Sequence, residues 1–504
     1  MNRWWLISIA ALAALIVLRP PIGAAEKTSP AKEPAATADK KAGKKLVTEP
    51  AVFALDEVPA FGKEQRGGTT RYHYPSGAYA VCSPVPNKDV KAYPTLKSKR
   101  PMYGSITFDR DPRDPKAGRT FYFVLDESGE KAAAAKDTTK NKGADGHLEV
   151  ERGPERGPLR YDRLYFDCNG DGDLTNDGVV RVTEKPPFEG MPGQTFGSYF
   201  EDLTVTLDFG PDAPRRPFVL VPHALSYGPD MVLIQFFPKT ARSGKIRLGG
   251  EEYIARLTQS RQLSGRYDRP AVELELAAAD PSKQDRLLSG SLGQMRWIDG
   301  QYFSLSAAPL GDKLTVAPYL GETGVLEIGA GGRAITNMGL AATFVSRTGV
   351  TIAARDSTSP TTDTLPRRFV LPVGDYSLPA FMAQQGRLRF AGRMTTNLDS
   401  GLAEVAPAKS PFPIEIRKAK PYVLEFSGKP EVKFMNPAKD ASFKPGDNIA
   451  IAAMLTEPWQ GIQITGLWDT TKKDGTGSIT SLDPNIAIRN STGETVSEGK
   501  MPFG

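Results

Sequence analysis

The sequence predicts an all-β protein built from several sandwich-type domains, and three observations carry that expectation. Short runs of β-branched and aromatic residues recur about every ten positions with Gly, Pro or Asp between them, the spacing of a sandwich or barrel. Long helical periodicity is missing, and only residues 283–288 offer one short helical turn. The 504 residues include 49 Gly and 42 Pro, which suits a turn-rich chain, and 39% hydrophobic content suffices for ordinary β domains. This length allows roughly three domains.

The chain opens as an export signal. Arg3 precedes an apolar run over residues 4–18, too short to span a bilayer comfortably. Pro20-Pro21 then breaks any helix, and Gly23-Ala24-Ala25 offers small residues for cleavage before Glu26. Residues 1–25 therefore read as a signal peptide, with an uncleaved anchor as the alternative. No later stretch approaches a spanning length, so no transmembrane segment is expected after cleavage. Residues 26–46 follow as a Lys/Ala/Pro linker, too poor in apolar residues to bury a core.

Charge follows the same division. The formal charge is +6; Arg3 and Arg19 leave with the signal, taking it to +4, and the six Lys, two Glu and one Asp of residues 26–45 hold +3 of that. The body keeps +1, so its surplus is not the basic patch of a folded nucleic-acid binder, and nucleic acid is rejected as a partner.

A first β domain is expected over residues 47–265. Residues 105–108 and 120–125 make a hairpin around a turn-rich insert, and residues 127–157 read as a polar loop insertion. Residues 203–209 alternate at period two, and strands follow at 218–221, 231–237, 245–248 and 253–257. A middle β domain is expected over 266–415, with strands at 271–276, 302–305, 314–316, 325–328, 350–353 and 387–390. Pro372-Val373-Gly374-Asp375-Tyr376 reads as a turn entering a strand.

The most informative stretch is Asp167-Cys168-Asn169-Gly170-Asp171-Gly172-Asp173-Leu174-Thr175-Asn176-Asp177. Side-chain oxygens fall at alternate positions with a glycine at the turn, which is how a loop wraps a hard cation. Calcium takes about six to eight oxygen ligands, drawn in an EF-hand-type loop from positions 1, 3, 5, 7 and 9 and a closing carboxylate. Asp167, Asn169 and Asp171 take the first three places, Asp173 the backbone-carbonyl place and Thr175 the place filled through water. Gly178 stands where the closing Glu belongs, so Asp177 would close the site one residue early. Leu174 is expected to anchor the loop in the core. The alternative is an Asp/Asn/Gly turn that binds nothing. Cys82 and Cys168 are the only cysteines; outside the cytosol they form either one disulfide or two thiols.

The flanks, Leu164-Tyr165-Phe166 and residues 179–182, read as strands rather than the helices of an EF-hand. The loop resembles those of dockerins and other secreted bacterial proteins, set here between two strands. Residues 437–453, "PAKDASFKPGDNIAIAA", resemble the start of bacterial immunoglobulin-like domains. That resemblance implies an immunoglobulin-like β-sandwich over 418–504, with Phe443 packed inward and Trp468 in the core. As a whole the chain resembles uncharacterised secreted multi-β proteins of planctomycete-type bacteria.

Two motifs resemble enzyme sites. Residues 325–334, "VLEIGAGGRA", fit the glycine turn of S-adenosylmethionine-dependent methyltransferases, but Thr343-Phe344-Val345 favours a strand over the helix that motif needs. Ser289-Gly290-Ser291-Leu292-Gly293 lacks the first glycine of a nucleophile elbow, and only His73, His147 and His223 exist to serve it. The reading is an exported, non-enzymatic, calcium-binding β protein, periplasmic or at the cell surface, with a structural or adhesive role. An envelope polymer or a second protein would be its partner. A secreted hydrolase or carbohydrate-binding protein with a structural calcium is the alternative.

Overall fold

The computed structural model describes residues 46–66, 69–109, 118–128, 161–183, 197–207, 216–226, 231–283, 287–330, 333–334, 338–354, 368–394, 413–426, 430–437, 441–444, 451–457, 461–473, 479–489 and 492–501. The signal segment, the linker and most of the polar insertion at 127–157 lie outside them. Strands dominate; one 3-10 turn, Pro281–Lys283, is the helical element among the described residues. Of the helical turn expected at 283–288, residues 284–286 lie outside the described residues, and Leu287 and Leu288 belong to Leu287–Ser291, which pairs as a strand with Glu273–Ala278. No helix among the described residues is long and apolar enough to cross a membrane.

The chain divides into two compact units, one of them Glu49–Tyr319. Its centre is a sandwich. Met102–Phe108, Arg119–Asp126, Arg163–Phe166 and Val179–Arg181 form a four-stranded antiparallel meander. A five-stranded sheet faces it, ordered Gly197–Tyr199, Arg216–Ser226, Val232–Pro238, Ala78–Val81, with Leu203–Leu207 also paired to Arg216–Ser226. The period-two alternation of Leu203–Leu207 sends Leu203, Val205 and Leu207 inward and leaves the two threonines exposed. Phe123 and Phe166 of the meander each meet Phe236 at 5.5 Å between ring centroids, and Phe108 meets Phe218 at 6.1 Å. Burying each such ring is worth roughly 1.5–3 kcal/mol, so these rings lock the two sheets together. Cys82 lies buried in the same core and Cys168 packs against it; both are free thiols.

A second five-stranded sheet runs Leu287–Ser291, Glu273–Ala278, Glu251–Thr258, Thr240–Leu248, Asp56–Pro59, and the hairpin Gly62–Arg66/Thr69–His73 accompanies it. Glu251–Thr258 pairs with Glu273–Ala278 from Tyr253↔Ala278 to Thr258↔Glu273. The sheet therefore passes through 265/266, where the sequence suggests a boundary, and the break between units falls at Tyr319/Leu320 instead.

In the other unit Gly374–Gln385 pairs with Met338–Ser346 on one side and Leu388–Met394 on the other. Leu388–Met394 then pairs with Ile462–Lys473, from Leu388↔Asp469 to Met394↔Ile462. Strands from the middle region and from 418–504 thus share one sheet. The expected turn into a strand is formed: Gly374–Gln385 follows Arg368–Pro372 directly, and the hydroxyl of buried Tyr376 donates to Pro372 O at 2.8 Å. Phe443 corrects the expectation of an inward position. It lies outside any strand among the described residues and is 44% exposed. Trp468 is half-buried, its ring lying over Gly466.

Candidate metal centre

The meander positions the loop. Arg163–Phe166 delivers Asp167 at the end of a buried strand, and Val179–Arg181 carries the chain back alongside it. Asp167 donates its backbone N–H to Tyr122 O at 2.9 Å, and its side chain is buried. A buried carboxylate is costly unless it is hydrogen-bonded. Here Oδ1 accepts from Asp171 N at 3.0 Å and Oδ2 from Gly172 N at 3.0 Å. That wrap requires left-handed backbone at Gly170 (φ +70°) and Gly172 (φ +80°), which glycine adopts without strain.

The remaining predicted residues continue inward-turned side-chain bonds along the loop. Asn169 Oδ1 accepts from Asp171 N at 2.8 Å, Asp171 Oδ1 from Asp173 N at 2.7 Å, and Asp173 Oδ1 from Thr175 N at 2.9 Å and Thr175 Oγ1 at 2.6 Å. Asn176 Nδ2 and Asn169 Nδ2 both donate to Asp171 Oδ2, at 2.8 and 3.0 Å. The Asp173 N–H and the Asn176 amide hold the Asp171 carboxyl below the usual range. Asp177 closes the loop, accepting from Cys168 N at 3.2 Å through Oδ1. Its Oδ2 is buried without a partner. Desolvation, together with the charges of Asp167, Asp171 and Asp173, pushes the Asp177 carboxyl up to about 6 against the bond from Cys168. Burial and the charges of Asp177 and Asp167 push the Cys168 thiol to about 12, which makes it a poor thiolate.

Leu174 is fully buried against Tyr103 and Val124, with Val90, Tyr93, Leu96 and Tyr165 around them, as the sequence suggests. Sequence reasoning missed what holds the loop from outside. Lys91 N donates to Gly172 O at 2.8 Å and Leu174 N to Ala92 O at 3.0 Å, stitching the loop to a segment about 80 residues upstream. Arg119 donates to Asn169 O and lies over the Phe121 ring at 5.0 Å. No motif marks these residues; the register of Arg119–Asp126 against Arg163–Phe166, Phe123↔Phe166 and onward, brings Arg119 near.

The donor set is all oxygen, the chemistry of a hard cation, and the orphaned Asp177 Oδ2 is what such an ion would satisfy. As the side chains stand, however, no three His, Cys, Asp or Glu among the described residues converge in a group that could hold a metal ion. Their oxygens serve the loop's own N–H groups instead. An EF-hand-type set also draws on amide, hydroxyl and backbone oxygens, here Asn169, Thr175 and the Asp173 carbonyl.

Neither enzyme-like motif leads into a helix among the described residues. Thr323–Ala330 turns back on Arg333–Ala334 through Gly329↔Ala334, and the next element is the strand Met338–Ser346. Ser289 and Ser291 lie within the strand Leu287–Ser291, with no strand-to-helix elbow. His223 is buried in Arg216–Ser226, stacked on Tyr199 at 3.9 Å.

One further polar cluster joins the hairpin to the neighbouring sheet. Arg71 Nη2 pairs with Glu275 Oε2 at 2.6 Å, while His73 lies 4.0 Å from Glu275 Oε1 and 3.4 Å from Glu64 Oε2. Arg256 Nη2 donates to Pro59 O at 2.6 Å and Ala60 O at 2.9 Å. Desolvation and the charges of Arg256 and Arg71 hold His73 below its ordinary value, against Glu275 and Glu64.

Comparison with known proteins returns no family model, no curated protein and no solved structure that matches this chain.

Proposed function

We propose that this is an exported β protein whose loop 167–177 binds one calcium ion in a structural role at the cell envelope or surface. The observation that carries the reading is the buried, partnerless Oδ2 of Asp177, facing the charges of Asp167, Asp171 and Asp173. A cation there would turn mutual repulsion into attraction. Asp167, Asn169 and Asp171 would ligate by side chain, Asp173 by its carbonyl, Thr175 directly or through water, and Asp177 would close the set. The signal-like residues 1–25 support export, where calcium is plentiful enough for sites with dissociation constants of roughly 0.1–1 mM. Thermal unfolding of the mature chain with calcium and then with chelator tests it, beside the Asp167→Ala/Asp171→Ala double variant. A calcium-dependent rise that the variant loses supports the reading, and equal midpoints throughout reduce the loop to a turn.

One observation favours carbohydrate binding as a second reading. Tyr72 and Tyr74 stack nearly parallel, 6.0 Å apart at 12°, and are 48% and 39% exposed. Retention on insoluble polysaccharide that Tyr72→Ala/Tyr74→Ala abolishes would support it; retention by neither protein would dismiss it.

A further inference from the structure

The chain contains one Asn-Gly pair, Asn169-Gly170, and the loop arranges that pair for chemistry on itself. We propose that Asn169 is a site of spontaneous covalent modification, converted to aspartyl or isoaspartyl by attack of the Gly170 backbone nitrogen on its side-chain amide. In the first step the Gly170 N–H gives its proton to a solvent base and the nitrogen bonds to Asn169 Cγ. The Cγ–Nδ2 bond breaks, the departing nitrogen takes up a proton, and ammonia leaves a five-membered succinimide. One water then adds to either ring carbonyl. Opening at one restores the backbone with an Asp side chain; opening at the other routes the backbone through the side chain as isoaspartate. Nothing is oxidised or reduced.

Several features of the loop favour the attack. Gly170 presents no Cβ to the approaching carboxamide, and a Cβ there would lie 2.6 Å from Arg119 Nη2. Arg119 donates to Asn169 O, the carbonyl of the very peptide whose nitrogen attacks, and drawing electron density toward that oxygen acidifies the Gly170 N–H. The guanidinium is fixed for this by the Phe121 ring and by a bond from Nη1 to Thr206 O at 3.4 Å. Asp171 N donates to Asn169 Oδ1 at 2.8 Å, folding the carboxamide back toward the Asn169–Gly170 peptide. The same donor would stabilise the oxyanion that develops on Oδ1. Asn169 is exposed, so water reaches the ring. Asn176 shares the loop but precedes Asp177, whose Cβ hinders the equivalent attack. The inference rests on the loop's own bonds and stands whether or not the loop takes calcium.

The test is a time course of the full chain in mildly alkaline buffer with chelator, digested and read by mass spectrometry. Conversion adds about one dalton to the peptide holding residue 169, and fragmentation separates Asp from isoAsp. Asn169 is expected to convert about tenfold or more faster than Asn176, and at least as fast in the folded chain as in urea. The Arg119→Met variant keeps a side chain over Phe121 but no donor, and is expected to slow conversion about threefold or more. A folded rate below the urea rate overturns the proposal, as does an unchanged rate in folded Arg119→Met. Should that variant fail to melt cooperatively, the folded and urea rates of the unaltered chain decide alone.

Discussion

Between the hairpin Gly62–Arg66/Thr69–His73 and the strand Glu273–Ala278, acids meet bases: Glu275 takes Arg71 at 2.6 Å, and His73 stands between Glu275 and Glu64. In the loop 167–177 acids meet acids, and Asp177 Oδ2 is buried with no partner at all. Both regions draw carboxylates together within one unit of the fold. The first pairs Arg71 with Glu275 and sets His73 beside Glu64, and the second spends its N–H groups on Asp167, Asp171, Asp173 and one oxygen of Asp177, leaving Asp177 Oδ2 without a partner. A polar cluster that closes on itself is a fastener; one that remains open by one partner has the form of a binding site.

Removing the loop's apolar anchor should have the largest effect. Leu174→Ala empties a fully buried site and should cost about 3 kcal/mol, read as a lower denaturant midpoint with unchanged slope. A loss below 1 kcal/mol would mean that backbone bonds to Lys91 and Ala92 hold the loop without the side chain. Next comes calcium itself. At about tenfold excess over its dissociation constant it should add ~1.4 kcal/mol to the unaltered protein, measured by melting. It should add nothing to Asp167→Ala/Asp171→Ala.

Asp177→Asn sharpens the contrast further. The folded-state value near 6 lies above the ordinary 3.8, so the native state favours protonated Asp177. Without metal, the stability this group confers is present at low pH and is lost as pH rises through about 6. In chelator, Asp177→Asn should therefore gain on the unaltered protein above pH 6, by ~1 kcal/mol once solvent screening is allowed for. A difference between the two that stays constant from pH 4 to 8 would show that Asp177 feels no crowding by the other acids. Calcium should reverse the sign of the difference.

The fastener should respond to pH in its own, smaller way. His73 sits below its ordinary 6.5, so its contribution is present above that pH and lost as pH falls beneath it. His73→Gln should flatten this part of the pH profile, as followed by hydrogen exchange in Thr69–His73. Unaltered protection in the hairpin between pH 7 and 5 would show that Arg71–Glu275 and Arg256 suffice without the imidazole.

Much of the fold class was legible because side-chain alternation is a local property. Leu203–Leu207 announces its buried face by itself, and Leu174 announces itself as the one apolar residue in a polar loop. Domain boundaries were less legible. Pairing of Glu251–Thr258 with Glu273–Ala278, and of Leu388–Met394 with Ile462–Lys473, depends on register between distant segments, which no local window contains. Phe443 failed for the same reason: an apolar residue is buried only where another element covers it.

By itself the sequence determined the β character, the alternation that builds the Phe-rich sandwich, and the order of oxygen-bearing residues from Asp167 to Asp177. These follow from chemistry carried within a few residues. Tertiary structure alone decided that Asp167 is buried, that Asp177 Oδ2 is orphaned, and that Arg119 reaches Asn169. It also decided that Glu275 finds Arg71. Burial and charge pairing are properties of neighbours in space, and the sheets that choose those neighbours join segments tens to hundreds of residues apart.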